Sequence, residues 1–224
     1  MAVVALLQAE AGSAPSGTGS FTYFTNFRVV VENLAFAKIV GIWGRNAFSG
    51  VWSLFPCSFD RSVPNNLEVW RAHVSSTEID MFDARYEVLG NVHWDNNGGF
   101  NYGLDNAAAH TDGIGTAVID PNVLAVAWGV DPGEMLNVEV LVKNLAFVKQ
   151  VAIVYTVNNW ATFANAFGVF QRGFPPATTA HQIQAEQWRV SVGLTPGASG
   201  KFAVFYVVGG ATYWDNNFGL DYTF

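Results

Sequence analysis

Asn144-Leu145-Ala146-Phe147-x-Lys149 repeats Asn33-Leu34-Ala35-Phe36-x-Lys38. Downstream of each copy stands the same tetrad, Trp94-Asp95-Asn96-Asn97 in the first half and Trp214-Asp215-Asn216-Asn217 in the second. Two motifs in the same order, twice, in a chain of 224 residues mean a duplicated unit. The offset between copies drifts, from 111 at Asn33 and Asn144 to 118 at Trp70-Arg71 and Trp188-Arg189 and 120 at Trp94 and Trp214. Insertions therefore fall between motifs, where loops vary and strands persist. A looser match, Trp-x-x-Phe-x-x-x-Phe, pairs Trp52, Phe55 and Phe59 with Trp160, Phe163 and Phe167 at an offset of 108.

Half of the residues are apolar, 15% are aromatic and only 13% are charged, with 22 glycines. This profile suits an all-β protein with a sizeable core. The net charge of −7 and the lack of a Lys/Arg cluster argue against a nucleic-acid partner. One cysteine, Cys57, allows no internal disulfide and reads as a small buried hydrophobe. No run approaches the roughly 18 apolar residues of a membrane span, so no membrane insertion is expected. The apolar run Ala2 to Leu7 is short and follows no Lys or Arg, which points to a cytoplasmic chain, or to a secreted one whose leader has been removed.

Strand signals recur within each half. Phe82, Ala84, Tyr86 and Val88 alternate with Asp83, Arg85 and Glu87, giving one dry and one wet face. Lys201 to Val208 is the counterpart, and Gly209-Gly210 then marks a tight hairpin turn. Val138, Val140 and Val142 match Phe27, Val29 and Val31. No long helical period appears. The expected fold is all-β, two small β-sandwiches in tandem, with a first module over 1–104, a linker over 105–120 and a second module over 121–224. Residues 1–20, rich in Ala, Gly and Ser, are expected to be frayed.

The Trp-Asp-Asn-Asn turn carries the chemistry. An exposed Trp matches the flat C–H face of a pyranose, while Asn amides and an Asp carboxylate match adjacent hydroxyls. The same Asn side chains serve equally well to tie a turn to its own backbone, so both uses stay open.

With these blocks in view, each half resembles the starch-binding domain of carbohydrate-binding module family 21. The second half carries Val140 to Val142, Lys143, Asn144 to Phe147, Lys149, Val151, Asn158-Asn159-Trp160, Phe202 to Tyr206 and Trp214 to Tyr222. The first carries Val29 to Val31, Asn33 to Phe36, Lys38, Val40, Trp52 and Trp94 to Tyr102. The resemblance implies an immunoglobulin-like β-sandwich that binds α-glucans without catalysis. It implies a sugar platform of Trp160, Trp214, Asp215, Asn216, Asn217 and Asp221 in the second half, and of Trp52, Trp94, Asp95, Asn96, Asn97 and Asn101 in the first. A second surface is implied at Phe36 with Lys38 and at Phe147 with Lys149, although a Phe at that place is read first as core. The copies depart from one another. Glu32 stands opposite Lys143, Gly98 opposite Phe218 and Asn101 opposite Asp221, and Trp52 lies beyond a longer loop, Gly44 to Val51, that lacks the Asp/Asn-x-Trp form.

Other chemistry gathers no support. Asp95-x-Asn97-x-Gly99 lacks the remaining ligands of a calcium loop. His73, His93, His110 and His181 form no ligand-spaced cluster, so no metal or cofactor is expected. Glu78 and Asp80 read as solvated, and Asp83 and Glu87 as wet-face residues, not as glycosidase carboxylates. No nucleophile arrangement appears and no enzyme activity is expected. The expected function is a bivalent, lectin-like protein for a polysaccharide such as starch, glycogen or a maltooligosaccharide. The alternatives are another glycan, for example a galactoside, or a scaffold bringing a phosphatase to glycogen. For the scaffold, Arg28-Val29-Val30-Val31 is the nearest docking string and lacks an aromatic.

Overall fold

In the computed structural model, residues 2–17, 19–75, 77–175 and 178–224 are described. The chain divides into two compact units, one formed by Met1–Asp120 with Phe174–Gln184 and the other by Pro121–Gly173 with Ala185–Phe224.

The first unit contains β1 (Val4–Pro15), β2 (Phe21–Glu32), β3 (Lys38–Asn46), β4 (Trp52–Pro56), β5 (Ser58–Val63), β6 (Leu67–Ser75), β7 (Ile79–Val88), β8 (Asn91–Asp95), β9 (Tyr102–Gly103), the helical turn α1 (Asn106–Ala109) and β10 (Gly113–Ile119). One sheet has the order β10-β1-β2-β6-β5 and the other β4-β3-β7-β8, with β9 also paired to β7. All of these pairs are antiparallel. The sheets bury their facing alternate residues in one core, where Phe27 meets Phe82 edge-on at 4.9 Å and Leu6, Val29, Ile42 and Tyr86 complete the filling. Each such large side chain contributes about 1.5–3 kcal/mol of burial, which explains why the period-two pattern decides the fold.

The second unit contains β11 (Val123–Val130), β12 (Met135–Lys143), β13 (Lys149–Thr156), β14 (Ala164–Phe167), β15 (Val169–Gly173), β16 (Ala185–Gly193), β17 (Lys201–Val208), β18 (Ala211–Asp215) and β19 (Tyr222–Thr223). Its sheets run β11-β12-β16-β15 and β14-β13-β17-β18, with β19 also on β17. Strand for strand this repeats the first unit without β10. Both are antiparallel β-sandwiches, as the repeat and the alternation predict.

Duplicated details hold each sandwich together. Tyr86 and Tyr206, both fully buried, donate from their hydroxyls to the carbonyls of Glu32 (2.7 Å) and Lys143 (2.8 Å). The hairpins before the tetrads turn on Leu89-Gly90 and Gly209-Gly210, all four residues at positive φ, as two-residue hairpins with the right-handed sheet twist require.

Several expectations are corrected. The start of the chain is not frayed: β1 is hydrogen-bonded between β2 and β10, and Leu6 and Ala9 are fully buried in the sandwich. Residues 105–120 are not a linker, since α1 and β10 belong to the first unit and β10 pairs with β1. Asp83 and Glu78 are buried, not solvated, and Glu78 faces the His110 ring at 2.6 Å. Cys57 packs partly against the first core, and burial pushes its thiol up to about 12, which leaves it inert. Val29 to Val31 are buried within β2, out of reach of a docking partner. No helix among the described residues is long and apolar enough to cross a membrane.

Candidate functional site

Both tetrads end a hairpin strand and run into a single 3-10 turn, Asn97–Gly99 and Asn217–Gly219. Most of their polar atoms are spent on the turn itself. Asp95 accepts from the Leu6 amide (2.6 Å) and the Tyr102 hydroxyl (3.0 and 3.1 Å), and Asp215 from the Ala125 amide and the Tyr222 hydroxyl (both 2.7 Å). Each carboxylate thereby ties its turn to the first strand of its unit. Asn96 and Asn216 cap the turn by accepting from Gly99 and Gly219 at 3.0 Å. Asn97 and Asn217 donate to the carbonyls of Asn101 (2.8 Å) and Asp221 (3.0 Å). Of the two uses left open for these side chains, the turn has a claim on each. The rings stay exposed, Trp94 at 44% and Trp214 at 57%.

In the second unit a second indole stands at the same turn. Trp160 sits in the loop between β13 and β14 and donates from Nε1 to Asp221 Oδ2 at 2.9 Å. Its backbone is left-handed, φ 69°, as is that of Asn159 at 52°. A bulky side chain there costs about 1 kcal/mol or more, so its surroundings must impose it. They do so through the buried Thr156, whose hydroxyl accepts from the Trp160 amide (3.0 Å) and donates to the Thr162 carbonyl (2.7 Å). Asn158 closes the loop by accepting from the Thr162 amide (2.9 Å) and donating to its hydroxyl (2.9 Å). Phe205, the cross-strand partner of Trp214, lies against its ring at 5.3 Å.

The first unit lacks this pair. Strand register contradicts the expected match of Trp52 with Trp160: Ile42 faces Phe55 as Ile153 faces Ala166, and Phe59 faces Trp70 as Phe170 faces Trp188. The offset stays at 111 through both hairpins, so Trp52 corresponds to Phe163, and Trp160 to Ser49. The loop from Gly44 to Val51 is no longer than its counterpart. Trp52 stacks on Trp43 at 6.5 Å instead, and Trp94 carries the Arg85 guanidinium 5.7 Å from its ring centre.

Asn101, the counterpart of Asp221, is also diverted. With its amide nitrogen toward Asp83 it donates to both carboxylate oxygens, at 3.0 and 3.1 Å. Burial, and then the Asp95 carboxylate, push Asp83 up to about 6. A raised folded-state value means that the folded protein favours the protonated acid. The cost of its charge is absent below pH ~4, grows between ~4 and ~6, and is full above ~6. Asp83→Asn is therefore expected to stabilise the chain by about 1–2 kcal/mol at pH 8 and by much less at pH 4, less than the full shift implies because Asn101 loses one acceptor. Urea unfolding at the two pH values measures this, and an equal effect at both would contradict it.

A second constellation is duplicated in full. Lys38 Nζ donates to Asn33 Oδ1 (2.5 Å) and Glu68 Oε2 (2.8 Å), and Trp70 Nε1 donates to the same Glu68 oxygen (3.0 Å). Lys149, Asn144, Glu186 and Trp188 repeat this at 2.5, 2.8 and 3.1 Å. Phe59 meets Trp70, and Phe170 meets Trp188, edge-on at 5.7 Å. Phe36 is 101% exposed and Phe147 97%, so neither is the core residue first expected. In the first unit Phe36, Phe59 and Trp70 border a groove of about 650 Å³. Phe59, Glu68, Trp70 and their counterparts are not among the candidate binding residues that the sequence suggests. Their signal was the repeated Glu-x-Trp-Arg, Glu68 to Arg71 and Glu186 to Arg189. Among the described residues no group of three His, Cys, Asp or Glu could hold a metal ion.

Residues 123–224, all but two residues of the second half, match the model of the carbohydrate/starch-binding module (family 21). The chain is similar to the starch-binding domain of Rhizopus oryzae glucoamylase, solved with beta-cyclodextrin and maltoheptaose, at 26% identity over 47% of this chain and 95% of that one (TM-score 0.37). It is also similar to the carbohydrate-binding module of the muscle glycogen-targeting subunit of Protein Phosphatase-1, at 21% identity over 46% and 73% (TM-score 0.35). No curated protein matches it by sequence.

Proposed function

We propose that this protein binds α-glucans of the starch and glycogen type, without chemistry of its own, through several aromatic surfaces on one chain. The principal platform is Trp160 with Trp214, its hydroxyl partner being the Asp221 carboxylate, whose Oδ2 already orients the Trp160 indole. The single observation behind this choice is Trp160, held at φ 69° by Thr156 and Asn158 and hydrogen-bonded to Asp221 of the turn that follows the exposed Trp214. Support also comes from the family match, which spans every one of these residues. Phe36 with Trp70, and Phe147 with Trp188, supply further stacking surfaces whose Lys–Glu pairs fix the indoles in place. Joining weak surfaces raises apparent affinity for a polymer by about 10²–10⁴ where geometry lets both engage, so glycogen should bind better than a short oligosaccharide. The test is depletion of the full chain by granular starch and glycogen beside titration with maltoheptaose and with a galactoside panel. Retention on both polymers, with weaker maltoheptaose binding, is the expected result. Binding of galactosides without maltoheptaose would move the protein to the alternative glycan class.

A further inference from the structure

We infer that the first unit's Trp-Asp-Asn-Asn turn is a docking surface for a peptide, and that its occupant is Thr178–Gln182 of this same chain. The segment is an insertion with an exact address. In the first copy β5 ends at Val63 and β6 begins at Leu67, joined by a tight turn with Asn65 and Asn66 at φ 64° and 58°. In the second copy β15 ends at Gly173 and β16 begins at Ala185. The offset between copies is 111 before this join (59 against 170) and 118 after it (70 against 188), so the seven extra residues lie here. They belong to the first unit.

The contacts fall on one arc of the turn, Asn97 to Gly103. The Gln182 side chain donates to the Gly103 carbonyl (2.7 Å) and accepts from the Gly103 amide (2.8 Å), completing that peptide group as a neighbouring strand would. The Thr179 hydroxyl donates to the Asn101 carbonyl (3.0 Å). Asn97 Nδ2 donates to the Ala180 carbonyl (2.7 Å) as well as to Asn101, so both of its hydrogens are committed and none is left for a sugar hydroxyl. His181 lies against Phe100 at 4.5 Å, and Phe174 is 3% exposed.

The receiving surface is cut to fit. A Cβ on Gly103 would lie 2.0 Å from Thr178 Oγ1 and 2.8 Å from Thr179 Cγ2. Gly103 pairs with Met81 as Thr223 pairs with Lys201, so the second unit carries a threonine where the first carries none. Glycine at 103 makes room for the segment.

The docking stands on this geometry alone; its consequence, that the Trp94 turn is closed to glycans while the Trp214 turn is open, rests on the proposed function. The test uses the full chain with Thr179→Ala plus Gln182→Ala, which leaves both cores untouched. Amide hydrogen exchange at Gly103 decides the docking. At least tenfold faster exchange than in the native chain, with β7 amides unchanged, is expected; equal exchange would overturn the inference. Trp94 indole NMR signals under maltoheptaose decide the consequence. The expected result is no shift in the native chain and a shift in the variant. A native chain whose Trp94 shifts while Gly103 stays protected would refute the closure. Should maltoheptaose move no tryptophan in either protein, the glucan reading fails while the exchange result still judges the docking.

Discussion

Trp160→Ala together with Trp214→Ala is expected to weaken glycogen binding by at least about 100-fold, and each single change by about tenfold. Central aromatic contacts commonly carry 2 kcal/mol or more, and each 1.4 kcal/mol is a factor of ten. The effect falls on binding and spares folding, because Trp214 is exposed and neither ring belongs to the second core. Asp221→Ala removes the partner of the Trp160 indole but no ring, so an intermediate loss is expected. Trp94→Ala, whose ring faces Arg85 and precedes the turn that the segment covers, should cost less than about threefold. Retention on glycogen, read beside thermal unfolding of each variant, measures all five. A folded double variant that binds as the native chain does would remove the platform from these residues.

The gap between these two turns also marks where sequence reading stopped. The duplication, the alternation in β7 and β12, and the Gly209-Gly210 hairpin are local signals, and each led to the element that formed. The match of Trp52 to Trp160 used side-chain identity at an offset of 108, whereas strand pairing keeps 111, so shared aromatics misled where register did not. Asp83 alternates as a wet-face residue, but Asn101 closes over it from a loop eighteen positions on, a tertiary event with no local trace. Phe36 and Phe147 look like core by type, and only the Lys–Glu–Trp cluster beside them shows why they stand out in solvent. The change of offset from 111 to 118 betrayed an insertion, but nothing in Phe174–Gln184 announced that it would complete the other unit.

Lys149→Met is expected to destabilise the protein by about 3 kcal/mol, more than any other single change considered for the second unit. The Lys149 and Glu186 side chains are only 4% and 11% exposed and stand 2.8 Å apart, so removing one strands the other's charge in a dry site. Breaking a buried pair from one side costs about 3–5 kcal/mol, although replacing both partners by apolar groups is often close to neutral. Lys149→Met with Glu186→Leu should therefore recover part of the loss. Recovery stays incomplete because Trp188 Nε1 loses its acceptor, which costs about 1–3 kcal/mol if the indole is left unsatisfied. The same arithmetic separates stability from function. The double variant should fold while its Trp188 ring, no longer oriented by Glu186, supports glycogen binding less well than the native ring. Urea midpoints and glycogen retention together read both effects. If Lys149→Met unfolds within 1 kcal/mol of the native chain, the lysine is solvated, and its cluster cannot be what holds the Phe147 surface in shape.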